Sequence, residues 1–78
     1  MTILVDKPRA YKGKKKKYSH MVSDTSFADL HYFASMIGIK RHFFHNDHYD
    51  ITEEQYEKAL NAGAKTVTSK ELVKRMIK

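Results

Sequence analysis

Five histidines stand among 78 residues, and three of them crowd into His42-Phe43-Phe44-His45-Asn46-Asp47-His48-Tyr49-Asp50. Neutral imidazoles and carboxylates are good ligands for zinc, manganese or nickel, so His42, His45, Asp47, His48 and Asp50 raise the question of a metal site. Their spacing argues against one. A regular strand points 42 and 48 to one face and 45 to the other, and the helix that would align all three is contradicted by the turn-prone Asn46-Asp47. With no fourth ligand at a known geometry, neither a metal nor a cofactor is assigned. The plainer reading has Asp47 and Asp50 hydrogen-bonding backbone around a turn, while His48 and Tyr49 pack or bind a ligand. Phe43 and Phe44 read as core and strand surface rather than a stacking platform, because adjacent strand residues face opposite ways.

The other two histidines differ in setting. His31 adjoins an apolar helical stripe, where a buried histidine is usually a satisfied hydrogen-bonding group. His20 follows closely on a strongly basic segment and is better placed to face a phosphate or a scissile group. A hydrolase built on it needs a carboxylate, which Asp24, Asp47 or Asp50 could supply. That requirement is generic, and no Ser-His-Asp signature, glycine-rich phosphate loop or His-Glu-x-x-His motif is present. The chain has no cysteine, which excludes a disulfide framework, a thiolate metal site and thiol nucleophiles.

The charge is concentrated in one place. Lys7 to Lys17 reads KPRAYKGKKKK, with seven cations and no acid; of fifteen lysines and arginines, eight remain elsewhere against nine acids, so this segment holds the whole excess of +6. Such a run is a solvated loop in the plain reading, since like charges repel and do not pack. In the functional reading it is a phosphate-binding arm. Arg9 offers a planar fork, Lys17 and its neighbours offer point charges, and Tyr11 and Tyr18 offer rings to a base. A membrane surface fits less well, because the segment lacks the apolar face of an interfacial helix.

Positioning these groups falls to a small set of elements. Seventy-eight residues make one domain, 1–78, with the basic loop at 7–17. Thr2 to Val5 reads as a buried strand and Tyr18 to Val22 as a second. Ser26-x-x-Asp29 opens a helix carrying Phe27, Leu30, Phe33, Ala34 and Ile37, which Gly38 stops. Ile39 to His45 reads as extended, followed by the Asn46-Asp47 turn. A Thr52-x-x-Gln55 capping box opens a second helix with Tyr56, Ala59 and Leu60 inward, ending at Gly63. Ala64 to Thr68 alternates as a strand, and Ser69 caps a last helix with Leu72, Val73, Met76 and Ile77 as its apolar face. Strands alternating with three short helices predict a small α/β domain whose sheet is at least partly parallel, with α+β as the alternative. The apolar start, Thr2 to Val5, is too short for a signal sequence or a membrane span, so a cytoplasmic protein is expected, in the host cytoplasm if a phage encodes it. A 78-residue monomer would bury only about 60 to 65% of its unfolded surface, so a homodimer or homotetramer is expected.

Val5-Asp6, Tyr18-Ser19-His20-Met21-Val22-Ser23-Asp24, Leu30-His31-x-Phe33-Ala34, Ile37-Gly38-Ile39, Asp47-His48-Tyr49-Asp50-Ile51, Ala62-Gly63-Ala64 and Ser69-x-Glu71-Leu72 together resemble the short bacterial and phage domains of domain-of-unknown-function family 4031. The resemblance spans nearly the whole chain and its label implies no activity. It directs attention to His20, Asp24, His31, Asp47, His48 and Tyr49, and away from His42 and His45. As a tiny, basic, aromatic-rich, cysteine-free α/β chain, the protein also resembles in type the small phage sponge proteins that sequester cyclic nucleotide signals of antiphage defence. That resemblance implies binding of a cyclic dinucleotide, without cleavage, between subunits.

The expected function is accordingly a sponge-like binding protein for a cyclic nucleotide or another phosphate-bearing ligand, not an enzyme. Its expected ligand-binding residues are Arg9, Tyr11, Lys17, Tyr18, His20, His48 and Tyr49. A nucleic-acid-binding accessory using the basic arm and a metal-dependent nuclease or phosphoesterase are the alternatives.

Overall fold

Local capping chemistry sets the helices. In the computed structural model, which describes residues 2–11, 13 and 15–77, helix α1 (Phe27–Met36) starts where the Ser26 side chain accepts from the Asp29 amide, and Gly38 follows its end at φ 81°. Helix α2 (Glu53–Asn61) opens on the full Thr52/Gln55 capping box. Thr52→Ala should therefore cost about 1 kcal/mol of stability, measurable as a lower urea midpoint at unchanged slope. Helix α3 (Ser69–Arg75) is capped by Thr68, whose side chain accepts from the Glu71 amide, and not by Ser69 as the sequence suggested. Both residues are hydroxyl-bearing, and Ser69 is engaged in a tertiary hydrogen bond described below.

The strands are β1 (Ile3–Val5), β2 (Arg9–Ala10), β3 (Lys17–Ser23), β4 (Phe44–His45), β5 (His48–Thr52) and β6 (Lys65–Thr66). They form one mixed sheet in the order β4-β5-β3-β1-β6, with β2 pairing β3. β1 runs parallel to β6, and the other neighbouring strands pair antiparallel. The α/β class with a partly parallel sheet thus holds.

Three local expectations are corrected. The basic segment is not loop throughout, because β2 folds back and sets Arg9 opposite Tyr18 and Ala10 opposite Lys17; Lys12 and Lys14 lie outside the described residues. Ile39 to His45 is not one extended run: a 3-10 turn at Arg41–Phe43 precedes the two-residue β4. Asp50 does not lie in the turn with Asp47: His48 to Thr52 is the strand β5, which lies between β4 and β3. Asn46 makes the β4–β5 connection in the left-handed region at φ 56°.

Strand alternation sorts the side chains onto two faces. Ile3, Val5, Met21, Tyr49 and Ile51 pack with α1 and α2 in the larger core, through Leu30, Phe33, Ala34 and Ala59. On the opposite face Leu4 and Val22 pack with Leu72 of α3 in a smaller core. The short α3 covers only part of this second face. The uncovered part carries Tyr18, His20, His48 and Asp50.

Candidate functional site

β3 and β5 build the site by register. His20 lies directly opposite Asp50, and His48, two residues before Asp50, shares its face. His48 Nε2 is 3.3 Å and His20 Nε2 3.9 Å from Asp50 Oδ1, and the two rings meet edge to face with centroids 5.2 Å apart. One ligand atom from each of the three residues falls within 4.8 Å of the others. Among the described residues, these are the ones that could hold a metal ion.

Each imidazole is held from behind by a carboxylate. His20 Nδ1 is 2.9 Å from Asp6 Oδ2, and His48 Nδ1 is 2.7 Å from Asp47 Oδ1. Asp6 is only 2% exposed. Its Oδ1 accepts from the His20 amide at 2.7 Å and its Oδ2 from the Ser69 hydroxyl at 2.9 Å, while the Ser19 hydroxyl donates to its carbonyl. Burial pushes the Asp6 carboxyl up, but the hydrogen bonds from the His20 ring and backbone and from Ser69, with the His20 charge, outweigh it and bring its pKa down to about 2. The same bond to Asp6 raises the His20 pKa against the opposing effect of burial, and the Asp6 and Asp50 charges add to the rise.

Above this floor opens a cleft of about 780 Å³, walled by Tyr11, Tyr18, Phe43 and His45 and reaching Thr52 and Gln55. The Tyr11 hydroxyl lies 3.3 Å and 3.4 Å from the two ring nitrogens of His20. Burial and the Asp6 charge raise the pKa of Tyr11, so it stays a neutral phenol. His45 pairs with His48 across the β4–β5 connection and their rings stack at 6.1 Å. Residues 42 to 48 are not one strand: the chain reverses at Asn46, so 45 and 48 are cross-strand partners on one face.

Of the expected ligand-binding residues, the cleft gathers Tyr11, Tyr18, His20 and His48. Arg9 borders a separate depression with Asp6, Lys7 and Thr66 to Ser69. Lys17 is exposed and stands one residue from Tyr18, on the other side of the β3 alternation. Tyr49 is corrected outright: at 1% exposure it belongs to the larger core, with its hydroxyl 2.9 Å from His31 Nδ1, and it offers no ring to a ligand. His31 is thus a satisfied group, with a pKa lowered by burial and Arg41. Asp24 accepts from the Thr2 amide and pairs with Arg75, away from the cleft. Sequence reasoning missed Asp6, and it named Asp50 as a possible metal ligand or carboxylate partner without assigning it to the site. The alternation of His48-Tyr49-Asp50-Ile51-Thr52 was the available signal for Asp50, whereas Asp6 had none before β1 and β3 were paired.

Fold and site define a small α/β protein with a two-histidine, one-carboxylate floor under an aromatic cleft. The family model described as "Protein of unknown function (DUF4031)" matches residues 3–78, and the chain belongs to that family. Neither a curated protein nor a solved structure matches it significantly. Among the described residues no helix is long and apolar enough to cross a membrane.

Proposed function

We propose that this protein binds a phosphate-bearing nucleotide in the cleft above His20 and His48, and that a cyclic nucleotide signal held without cleavage is its ligand. The supporting observation is the joining of Tyr11 and Tyr18 in one nucleotide-sized cleft on the strand to which the basic arm is hairpinned. Bases stack on the tyrosines, and the positive charge of the arm attracts the phosphates.

A second reading, a metal-dependent phosphoesterase, is favoured by the convergence of His20, His48 and Asp50. A divalent ion held there would polarise a phosphoryl oxygen and acidify a bound water. Incubation with cyclic and linear nucleotides and short oligonucleotides, with and without chelator, followed by denaturation and chromatography, separates the readings. Intact cyclic nucleotide recovered under both conditions supports sequestration, and an ion-dependent product supports the esterase. Retention of oligonucleotides alone supports the nucleic-acid accessory, and retention of nothing rejects the site.

Within the sequestering reading, Tyr11→Ala and Tyr18→Ala should each weaken binding by one to two decades, since stacking is worth about 1–3 kcal/mol per base. Tyr49→Phe should leave affinity unchanged and cost about 1 kcal/mol of stability through the lost bond to His31. Calorimetric titration beside urea melts reads both, and equal affinity losses at 11 and 49 would sink the assignment of the walls.

A further inference from the structure

The acidic character of the cleft floor is at odds with an anion-binding pocket. Asp6, Asp47 and Asp50 carry three negative charges around two imidazoles, which supply at most two positive ones. Counted over these groups alone the floor is net negative, so a phosphate descending to it gains from a cation placed there.

The donor geometry shows which kind of cation fits. Both Nδ1 atoms are committed to carboxylates, so in the neutral rings Nδ1 carries the proton and the Nε2 lone pairs are available to an ion, that of His20 after the Tyr11 hydroxyl, 3.4 Å away, moves aside. Both Nε2 atoms lie on the Asp50 side, at 3.3 Å and 3.9 Å from the same oxygen. Ligands about 2.0–2.2 Å from a tetrahedral ion stand about 3.3–3.6 Å from one another, so the His48 and Asp50 atoms are already at that spacing and a small swing of the side chains brings in His20. Carboxylates behind ligating histidines fix tautomer and ring orientation and raise ligand basicity. Here one of them, Asp6, is itself fixed by the His20 amide and Ser69. Neighbouring strands, rather than loops, carry the three ligands.

We propose that His20 Nε2, His48 Nε2 and the Asp50 carboxylate form a three-ligand site for a divalent ion of the zinc class, open toward the Tyr11 side of the cleft, with Asp6 and Asp47 as positioning residues. Two imidazoles with one carboxylate suit zinc, manganese, iron(II) or nickel over calcium and magnesium, which take oxygen ligands. The bound ion offsets most of the floor's negative charge and sets its own double positive charge at the cleft, where a phosphoryl oxygen has a place to bind. The inference goes beyond the nucleotide reading and stands without it, since it rests on the floor alone.

The test uses the full chain, stripped with chelator and titrated with zinc chloride by calorimetry in the absence of nucleotide. One ion per chain is expected, with cobalt(II) giving visible absorption bands of a low-coordinate site that zinc displaces. His48→Ala and Asp50→Asn should abolish the stoichiometric phase, Asp47→Asn should weaken affinity about 10- to 100-fold, and His42→Ala, exposed and outside the cleft, should match the wild type. His48 and Asp50 are partly exposed, so these variants should fold, and circular dichroism melts verify it; Asp47→Asn provides a second, milder probe. Zinc binding that survives His48→Ala and Asp50→Asn, or that disappears with His42→Ala, overturns the site. Nucleotide retention by stripped protein that takes up no zinc rejects the ion and keeps the nucleotide reading, whereas zinc uptake without nucleotide retention does the reverse.

Discussion

Asp6→Ala should remove about 3–5 kcal/mol of folding stability, the largest loss expected from any single polar side chain in this protein. The carboxylate is buried at the point where β1, β3 and α3 meet, and it accepts from the His20 ring, the His20 amide and the Ser69 hydroxyl. Each hydrogen bond to a charged acceptor contributes about 1.5–3 kcal/mol, and alanine leaves three partly buried donors without this partner. At roughly 0.05–0.15 kcal/mol per residue, a chain of 78 residues holds about 4–12 kcal/mol in total, so the variant should sit near its unfolding threshold. Asp6→Asn should lose less, because its amide oxygen still accepts from the backbone and Ser69. Urea denaturation of wild type and both variants reads the ordering. An Asp6→Ala loss below about 1 kcal/mol would show that the three-way junction is not what joins α3 to the sheet.

The second large effect is on pH dependence in the metal-stripped protein. Asp6 titrates at about 2 in the fold against an ordinary 3.8, so its contribution is complete above pH 3.8 and is lost as pH falls toward 2, an effect of about 2 kcal/mol. His20 has the opposite sign. Its pKa is raised above 6.5 by the bond to Asp6, so the pair's contribution is complete below pH 6.5 and is lost as pH rises through the folded value. His31 works against this: burial lowers its pKa, so its contribution is present above pH 6.5 and is lost as pH falls below it. The wild-type profile alone mixes the two histidines, and the informative quantity is the stability difference between wild type and Asp6→Asn from pH 2 to 9. That difference should be greatest between about pH 4 and 6.5 and shrink on both sides. A difference that grows from pH 6.5 to 9 would mean that His20 is not charged against Asp6. Zinc in the same protein should oppose the alkaline loss, because metal ligation requires the neutral rings.

What the sequence determined by itself was whatever depends on neighbours along the chain. Ser26 with Asp29 and Thr52 with Gln55 announce α1 and α2 because a cap is a contact across three residues, and Gly38 marks the end of α1 because its backbone takes a positive φ. The family could be recognised from motifs over nearly the whole chain. His20, His48, Tyr11 and Tyr18 could be singled out by type and position, and the cleft gathers them. Only the tertiary structure decided which carboxylates work with them and which tyrosine does not. Asp6 reaches His20, fourteen residues away, through the pairing of β1 with β3, and Ser69 reaches Asp6 from sixty-three residues away. Tyr49, beside two site residues, is turned into the core because consecutive residues of β5 face opposite sides of the sheet. Whether a polar stretch such as His48 to Thr52 is a turn or an inner strand depends on the hydrogen-bonding partners that β3 and β4 supply, and those partners are distant in sequence.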